Sequence, residues 1–411
     1  MDHGDVAWIL TSSALVFIMT PALAFFYGGL VKRKNILNTI MSSAMLMGIA
    51  SILWVAVGFS LSFSGDSAGI IGDFKWLGLN FNGFTDTTFP YPNTLAFAIF
   101  QMMFAIITPA LITGAIAERM KFSSLVLFTT IWSLIVYYPL AHMVWGGGLL
   151  ADLGSVDFAG GNVVHISSGV SALVLSIWLG KRKNHGRASY HPHNVPFVFL
   201  GAALLWFGWF GFNAGSAGGA NELAIHAFMT TNTSAAAAML SWMMIEKIKN
   251  GKPTLVGAST GMVIGLVAIT PGAGFVPIWA AIIIGALVSP ISYFFITVVK
   301  KKFRYDDALD VFGCHGIGGI WGGIATGLFA QSAINPVAQW DGLVYGQTQL
   351  FVAQLEAIGI TVAIAVAGTL IAAGIASLVT KGIKVPQKSE DIGLDVAEHG
   401  EHAYPAFNGM D

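Results

Sequence analysis

Charge is what this sequence has least of. Only 10% of its 411 residues are Asp, Glu, Lys or Arg, against 55% apolar residues. A water-soluble domain carries roughly 25% charged residues, because its surface has to be solvated. This composition cannot cover a water-facing surface, so the chain reads as an all-α polytopic membrane protein. Cysteine is nearly absent. Cys314 alone excludes an intrachain disulfide and a cysteine metal cluster. A basic excess is missing too, and the net charge of −1 argues against a nucleic-acid partner. The segment ahead of the first apolar run carries Asp2 and Asp5 and no Lys or Arg. A signal peptide wants positive charge there, so this run reads as a retained first span.

What is present is a series of apolar runs. Crossing a ~30 Å hydrocarbon core takes about 20 apolar residues in a helix. Eleven stretches qualify: 6–30, 36–61, 93–117, 122–146, 158–180, 195–217, 222–245, 254–271, 277–299, 311–333 and 350–377. None contains Lys or Arg. Of the 20 basic residues, all but Lys75 fall in every second connection or in the tail, at 32–34, 119–121, 181–187, 247–252, 300–304 and 381–388. The positive-inside rule places those segments in the cytoplasm, with the N-terminus outside and the C-terminus inside. The loop 62–92, with Asp66, Asp73 and Asp86, is then external. Residues 1–377 form the membrane domain. Residues 378–411 form a charged cytoplasmic tail with no apolar periodicity of its own, suited to docking on the membrane part or on a partner.

Two runs hold a histidine among glycines: NVVHISSG, with His165 in span 5, and GCHGIGG, with His315 in span 10. Five spans per half make the second half (195–333) inverted relative to the first (6–180), followed by a final helix at 350–377. Transporters built this way keep their site near the bilayer midplane, at the repeat interface. Counting 1.5 Å per residue puts His165 about 10 Å below the outer end and His315 roughly 16 Å above the inner charge belt. A histidine in a bilayer is costly and usually functional, and two at matched depth point to a pore-lining pair. Two imidazoles without a nearby Cys or carboxylate leave a metal shell incomplete, so no metal site is expected. The 49 glycines, concentrated in GIGGIWGGIATG (316–327), indicate helices crossing at close range.

The lining decides the solute class. Carboxylates sit at span ends (Glu118, Glu222, Glu246, Asp310), and Glu356 is read at the outer interface. A centre of imidazoles and aromatic rings suits a small, nearly neutral hydrogen-bonding molecule, and histidine can also pass a proton. Phe100 and Phe104 lie four apart in FQMMF, on one helix face. With Trp145, Phe212 and Ser216 they sit at the outer ends of spans 3, 4 and 6. Such a cluster holds a small cation by cation–π attraction and a hydrogen bond, although an interfacial aromatic belt has the same composition. Asp157 opens DFAGGNVVH at the start of span 5. Its short carboxylate can cap exposed helix amides, and its charge also favours a cation nearby.

These motifs carry a resemblance. ERM (118–120), AHMVWGGGLL, DFAGGNVVHISSG, WFGWFGFNAGS, TPGAGFV and DVFGCHGIGGIWGG look like the ammonium transporter (Amt/Mep/Rh) family, nearest its bacterial and archaeal Amt branch. The likeness runs from FFYGGLVKRKN (25–35) to GLDVAEHGEHAY (393–404). It implies a homotrimer of eleven-helix subunits in the cell membrane, each with its own narrow pore, and neither an enzyme nor a cofactor protein. Phe100, Phe104, Trp145 and Ser216 resemble the outer ammonium recruitment site. Phe104 and Phe212 resemble the stacked gate below it. His165 and His315 resemble the twin-histidine pair, Thr270 a threonine lining the path, and Asp157 the aspartate supporting ammonium entry. The cytoplasmic face resembles a docking surface for PII-type signal proteins. Cys314 departs from the usual aliphatic residue before the second histidine and reads as a small packed hydrophobe. An ammonium sensor and a channel for another small neutral solute are the alternative readings.

Overall fold

The computed structural model describes residues 3–81, 94–183, 185–186 and 190–404. Asp2, Asp86, Asn93 and Arg187, which fall within segments used above, lie outside the described residues, as do residues 405–411. Every apolar stretch is helical: α1 His3–Leu30, α2 Arg33–Phe63, α3 Thr94–Ile116, α4 Phe122–Asp152, α5 Gly161–Leu179, α6 Val195–Ala217, α7 Glu222–Asn250, α8 Leu255–Ile269, α9 Ile278–Phe303, α10 312–329 and α11 Gln349–Val379. Eight of these, all but α7, α8 and α10, are long and apolar enough to cross a membrane. The other three have plain reasons to fall short. Helix α8 has 15 residues, α7 carries Glu222, His226, Glu246 and two lysines, and α10 is diluted by glycine and His315. No regular strand occurs among the described residues, only two isolated bridges. Helices satisfy their own backbone groups, which a bilayer requires.

Polarity is distributed the reverse of a soluble fold. Large apolar side chains point outward, such as Ile225, Leu240, Met244, Ile282 and Ile371, while serines and threonines fill the interior. Many buried hydroxyls return to carbonyls one turn back, as Ser13 does to Ile9 and Thr39 to Asn35. Helix α6 presents a glycine face (Gly201, Gly208, Gly211) to the backbone of α1 and to its Met19 and Leu15 side chains. Helices α5 and α10 meet backbone to backbone, where Gly169 lies against Gly316. Six helices widen locally into π-helical turns, at Trp54–Gly58, Ser133–Tyr137, Gly161–Ile166, Phe210–Ala214, Phe295–Val299 and Phe312–Gly316.

At the basic end of the bundle three connections are pinned by one buried ion cluster. The Arg182 guanidinium donates to Asp306 through Nε (3.0 Å) and Nη2 (2.8 Å), and to Glu118 through Nη1 (3.0 Å). Its other face covers the Tyr190 ring at 4.2 Å. Arg119, fully buried, donates to the Asp306 carbonyl. Burial alone would raise the Asp306 carboxyl, but the hydrogen bonds and charge of Arg182, with Arg119, hold it well below the usual carboxylate range. The tail packs on this end. Lys121 and Arg119 exchange backbone hydrogen bonds with Ile383 and Val385. Two short helices follow, α12 Gln387–Ile392 and α13 Leu394–His399. Asn35 and Asn38 at the start of α2 hold Leu394 and Asp395, and Leu394 is buried. The tail thus packs on the membrane part of its own chain.

Candidate functional site

A line of rings runs from the end of α4 into the interior. Phe100 meets Phe104 edge to face at 5.0 Å, both on α3, and Trp145 from α4 flanks Phe104 at 6.0 Å. Phe104 lies on Phe212 of α6 with centroids 4.3 Å apart. Phe212 stacks at 6.0 Å on His165, and His165 at 5.3 Å on His315. Four helices thus contribute to one column of rings, with a fifth, α4, at its edge. Phe104 and Phe212 are buried, whereas Trp145 and Ser216 are half-buried.

The two histidines share a hydrogen bond between their Nδ1 atoms, 3.3 Å apart across 150 residues of sequence. A neutral imidazole has one N–H and one bare nitrogen. In such a pair one Nδ1 donates and the other accepts, so one ring keeps a bare Nε2 and the other an Nε2–H. The pair offers both an acceptor and a donor to a molecule beside it. His165 Nε2 is buried and has no partner in the protein. It borders a narrow space lined by Leu23, Val164, Trp209, Phe212, Val263 and His315, among others, with roughly 10 Å³ of room for the centre of a water-sized molecule. That holds about one such molecule.

Both histidines lie in the first turn of their helix, inside a π-helical turn. Helix α5 begins at Gly161 rather than at 158, because Gly160 turns the chain at φ +116°. Counting helical rise from the flanks therefore does not give their depth; the loops that place the helix starts do. Asp157 sets one of these starts. Its carboxylate accepts the amides of Gly160 (2.8 Å), Gly161 (2.6 Å) and Asn162 (2.7 Å). Its carbonyl accepts Trp145 Nε1 at 2.9 Å. One residue thus ties the helix of His165 to the aromatic at the end of α4.

Phe212 lies in the π-helical turn Phe210–Ala214, and Ser216 in the short helical turn Gly215–Ala217 that follows it. The Ser216 hydroxyl donates to the Phe212 carbonyl at 2.9 Å. Thr270 is buried away from the narrow space: its hydroxyl donates to Leu266 and accepts Trp209 Nε1 at 2.9 Å. Trp209, which sequence reasoning passed over, stacks on His165 at 5.4 Å. Its place three residues before Phe212, on one helix face, was the available signal. Cys314 is buried beside His315 and faces a cavity at the basic end that also includes Tyr190, His191 and Asp310. Glu356 is exposed on the outer face of α11, away from the rings.

Comparison with known proteins gives the same picture over the whole length. The sequence matches the model of the Ammonium Transporter Family over residues 7–404. It is 50% identical over 406 residues to the ammonium transporter of Bacillus subtilis (strain 168), covering 98% of this chain and 99% of that one. Ammonium transporter Amt1 of Archaeoglobus fulgidus is 47% identical over 404 residues, covering 98% and 100%. The crystal structure of Candida albicans Mep2 superposes with a TM-score of 0.88 at 33% identity, covering 98% of this chain and 91% of that one. With its helices, its ring column and its full-length matches in agreement, the chain belongs to the ammonium transporter family.

Proposed function

We propose that this protein carries ammonium nitrogen across the cell membrane into the cytoplasm. The observation that carries the reading is the unbroken column of rings from Phe100 to His315, beside a space for about one small molecule. Ammonium is drawn to Phe100, Phe104, Trp145 and Ser216, where aromatic faces and a hydroxyl replace part of its water. A bare cation at the midplane is expensive, and no acidic side chain lines the narrow space to offset it. The proton therefore leaves near the Phe104–Phe212 gate, ammonia passes the histidines, and a proton is regained on the inner side. Asp157 supports the entrance through the helix start and Trp145. Thr270 acts through Trp209.

The same reading has eleven crossings, an external N-terminus and two inverted halves. It is supported by the π-helical turns that open both α5 and α10, the fifth helix of each half. Nineteen of the twenty basic residues fall in alternate connections or in the tail of the sequence, which gives those segments to the cytoplasm. A homotrimer, with a PII-type signal protein meeting the cytoplasmic face, completes the proposal. Growth on low ammonium at acidic pH, in a strain without transporters of its own, tests the substrate. Ammonium-evoked current on a supported membrane then tests the histidines. His165→Ala and His315→Ala are expected to abolish it. Unchanged current in both would remove the histidines from the proton path.

A further inference from the structure

Within the membrane domain, aspartate and histidine stand eight residues apart twice: Asp157 with His165, and Asp307 with His315. The local geometry repeats as well. The Asp157 carboxylate accepts the amide five residues on, Asn162, at 2.7 Å; Asp307 accepts the amide five residues on, Phe312, at 2.8 Å. Each aspartate leads into a π-helical turn that contains the histidine. The copies differ in how far the carboxylate is committed. Asp157 spends both oxygens on three amides. Asp307 is 1% exposed, yet its Oδ1 has no hydrogen-bond partner.

The groups facing Asp307 are few. Lys300 at the end of α9 places its ammonium 2.6 Å from the Asp307 carbonyl and 2.5 Å from the Asp310 carboxylate. Asp310 lies in the same connection, Tyr27 comes from α1, Cys314 from α10, and Arg119 and Tyr305 from the basic end. Burial pushes the Asp307 carboxyl up to about 6; Lys300 and the Phe312 and Val311 amides oppose the rise, and Asp310 adds to it.

We propose that Asp307 is a positioning residue for His315: its carboxylate fixes the first turn of α10, and its uncommitted oxygen makes that turn respond to protons on the cytoplasmic side. The inference rests on the ammonium-transport reading above. A proton taken up at Oδ1 leaves a neutral carboxyl, which is a weaker acceptor for the Phe312 amide. The start of α10 loosens, and with it the 3.3 Å link between the histidines. Inward flux falls as the cytoplasmic side acidifies through the carboxyl's range.

Right-side-out vesicles bearing the full-length chain, loaded with buffers from about pH 5 to 8 at fixed outer pH, read this as initial ammonium uptake. A carboxyl near 6 is about 97% ionised at pH 7.5 and about 24% at pH 5.5, so wild-type uptake is expected to fall about fourfold beyond a titration-free control. Asp307→Asn keeps an acceptor for Phe312 but cannot titrate, and serves as that control. Its uptake should lack the fourfold fall and, because its acceptor is neutral like the protonated carboxyl, lie near the acid-end level of wild type at every pH. Lys300→Met removes the nearby cation and should move the wild-type midpoint to higher pH. A profile for Asp307→Asn that matches wild type, or an unmoved midpoint in Lys300→Met, would overturn the proposal. Should Asp307→Asn not fold, the Lys300→Met shift decides alone. Absence of ammonium uptake by wild type at every pH would overturn the transport reading, and this inference with it.

Discussion

Replacing Gly169 by alanine asks whether helix packing holds the histidine pair together. Gly169 lies one turn beyond His165, and a Cβ there runs into the backbone of Gly316, the residue after His315. No flexible side chain is present to yield. Carbon and backbone atoms pack at roughly 3.5–4.0 Å, so α5 and α10 must part by on the order of 1 Å. The Nδ1 atoms are already 3.3 Å apart, at the long edge of a hydrogen bond, and the displacement breaks their link. Overpacking of this kind costs about 1–3 kcal/mol. Since about 1.4 kcal/mol is tenfold in a rate, ammonium flux should drop about tenfold or more if the strain falls on the conducting state. The assay is ammonium-evoked current at matched protein density, with melting of the purified protein in detergent alongside. Gly374→Ala on α11 is the control, because a Cβ there meets nothing within 4 Å. Wild-type current and melting temperature in Gly169→Ala would refute the argument that this crossing sets the pair.

Asp157→Asn should keep much more uptake than Asp157→Ala, because an amide oxygen still accepts from Gly160 or Gly161; equal loss in both would show that charge, not acceptance, matters at the entrance. Asp306 lies below its ordinary value when folded, so its contribution is complete above about pH 4, the unfolded value, and is lost as pH falls further. Thermal melting should therefore be insensitive to this pair from neutrality down to about pH 5, and Asp306→Asn should destabilise by about 1.5–3 kcal/mol at neutral pH by leaving Arg182 with Glu118 as its one carboxylate partner. A melting temperature unchanged by that substitution would contradict the reading. Trp209→Phe keeps the stacked ring but abandons Thr270, so a several-fold loss of flux with little change in ammonium affinity is expected; a change confined to affinity would place Trp209 in recruitment instead.

The sequence alone determined where the helices lie and which end is basic, because bilayer solvation is charged residue by residue: an apolar run of the right length, or a lysine at its edge, needs no distant partner to be read. It also singled out His165, His315 and the outer aromatics, since a polar residue in an apolar run is conspicuous by itself. Tertiary structure decided the rest. That the histidines bond through their Nδ1 atoms across 150 residues depends on two glycines letting α5 and α10 touch. Trp209 resembled its aromatic neighbours until Thr270 and His165 were seen on either side of it. The tail has no amphipathic period because its partners are the ends of other helices, chiefly Asn35, Asn38 and the Arg119–Lys121 backbone. Local solvation is written in the order of residues; a contact between helix ends is written only in how the helices come together.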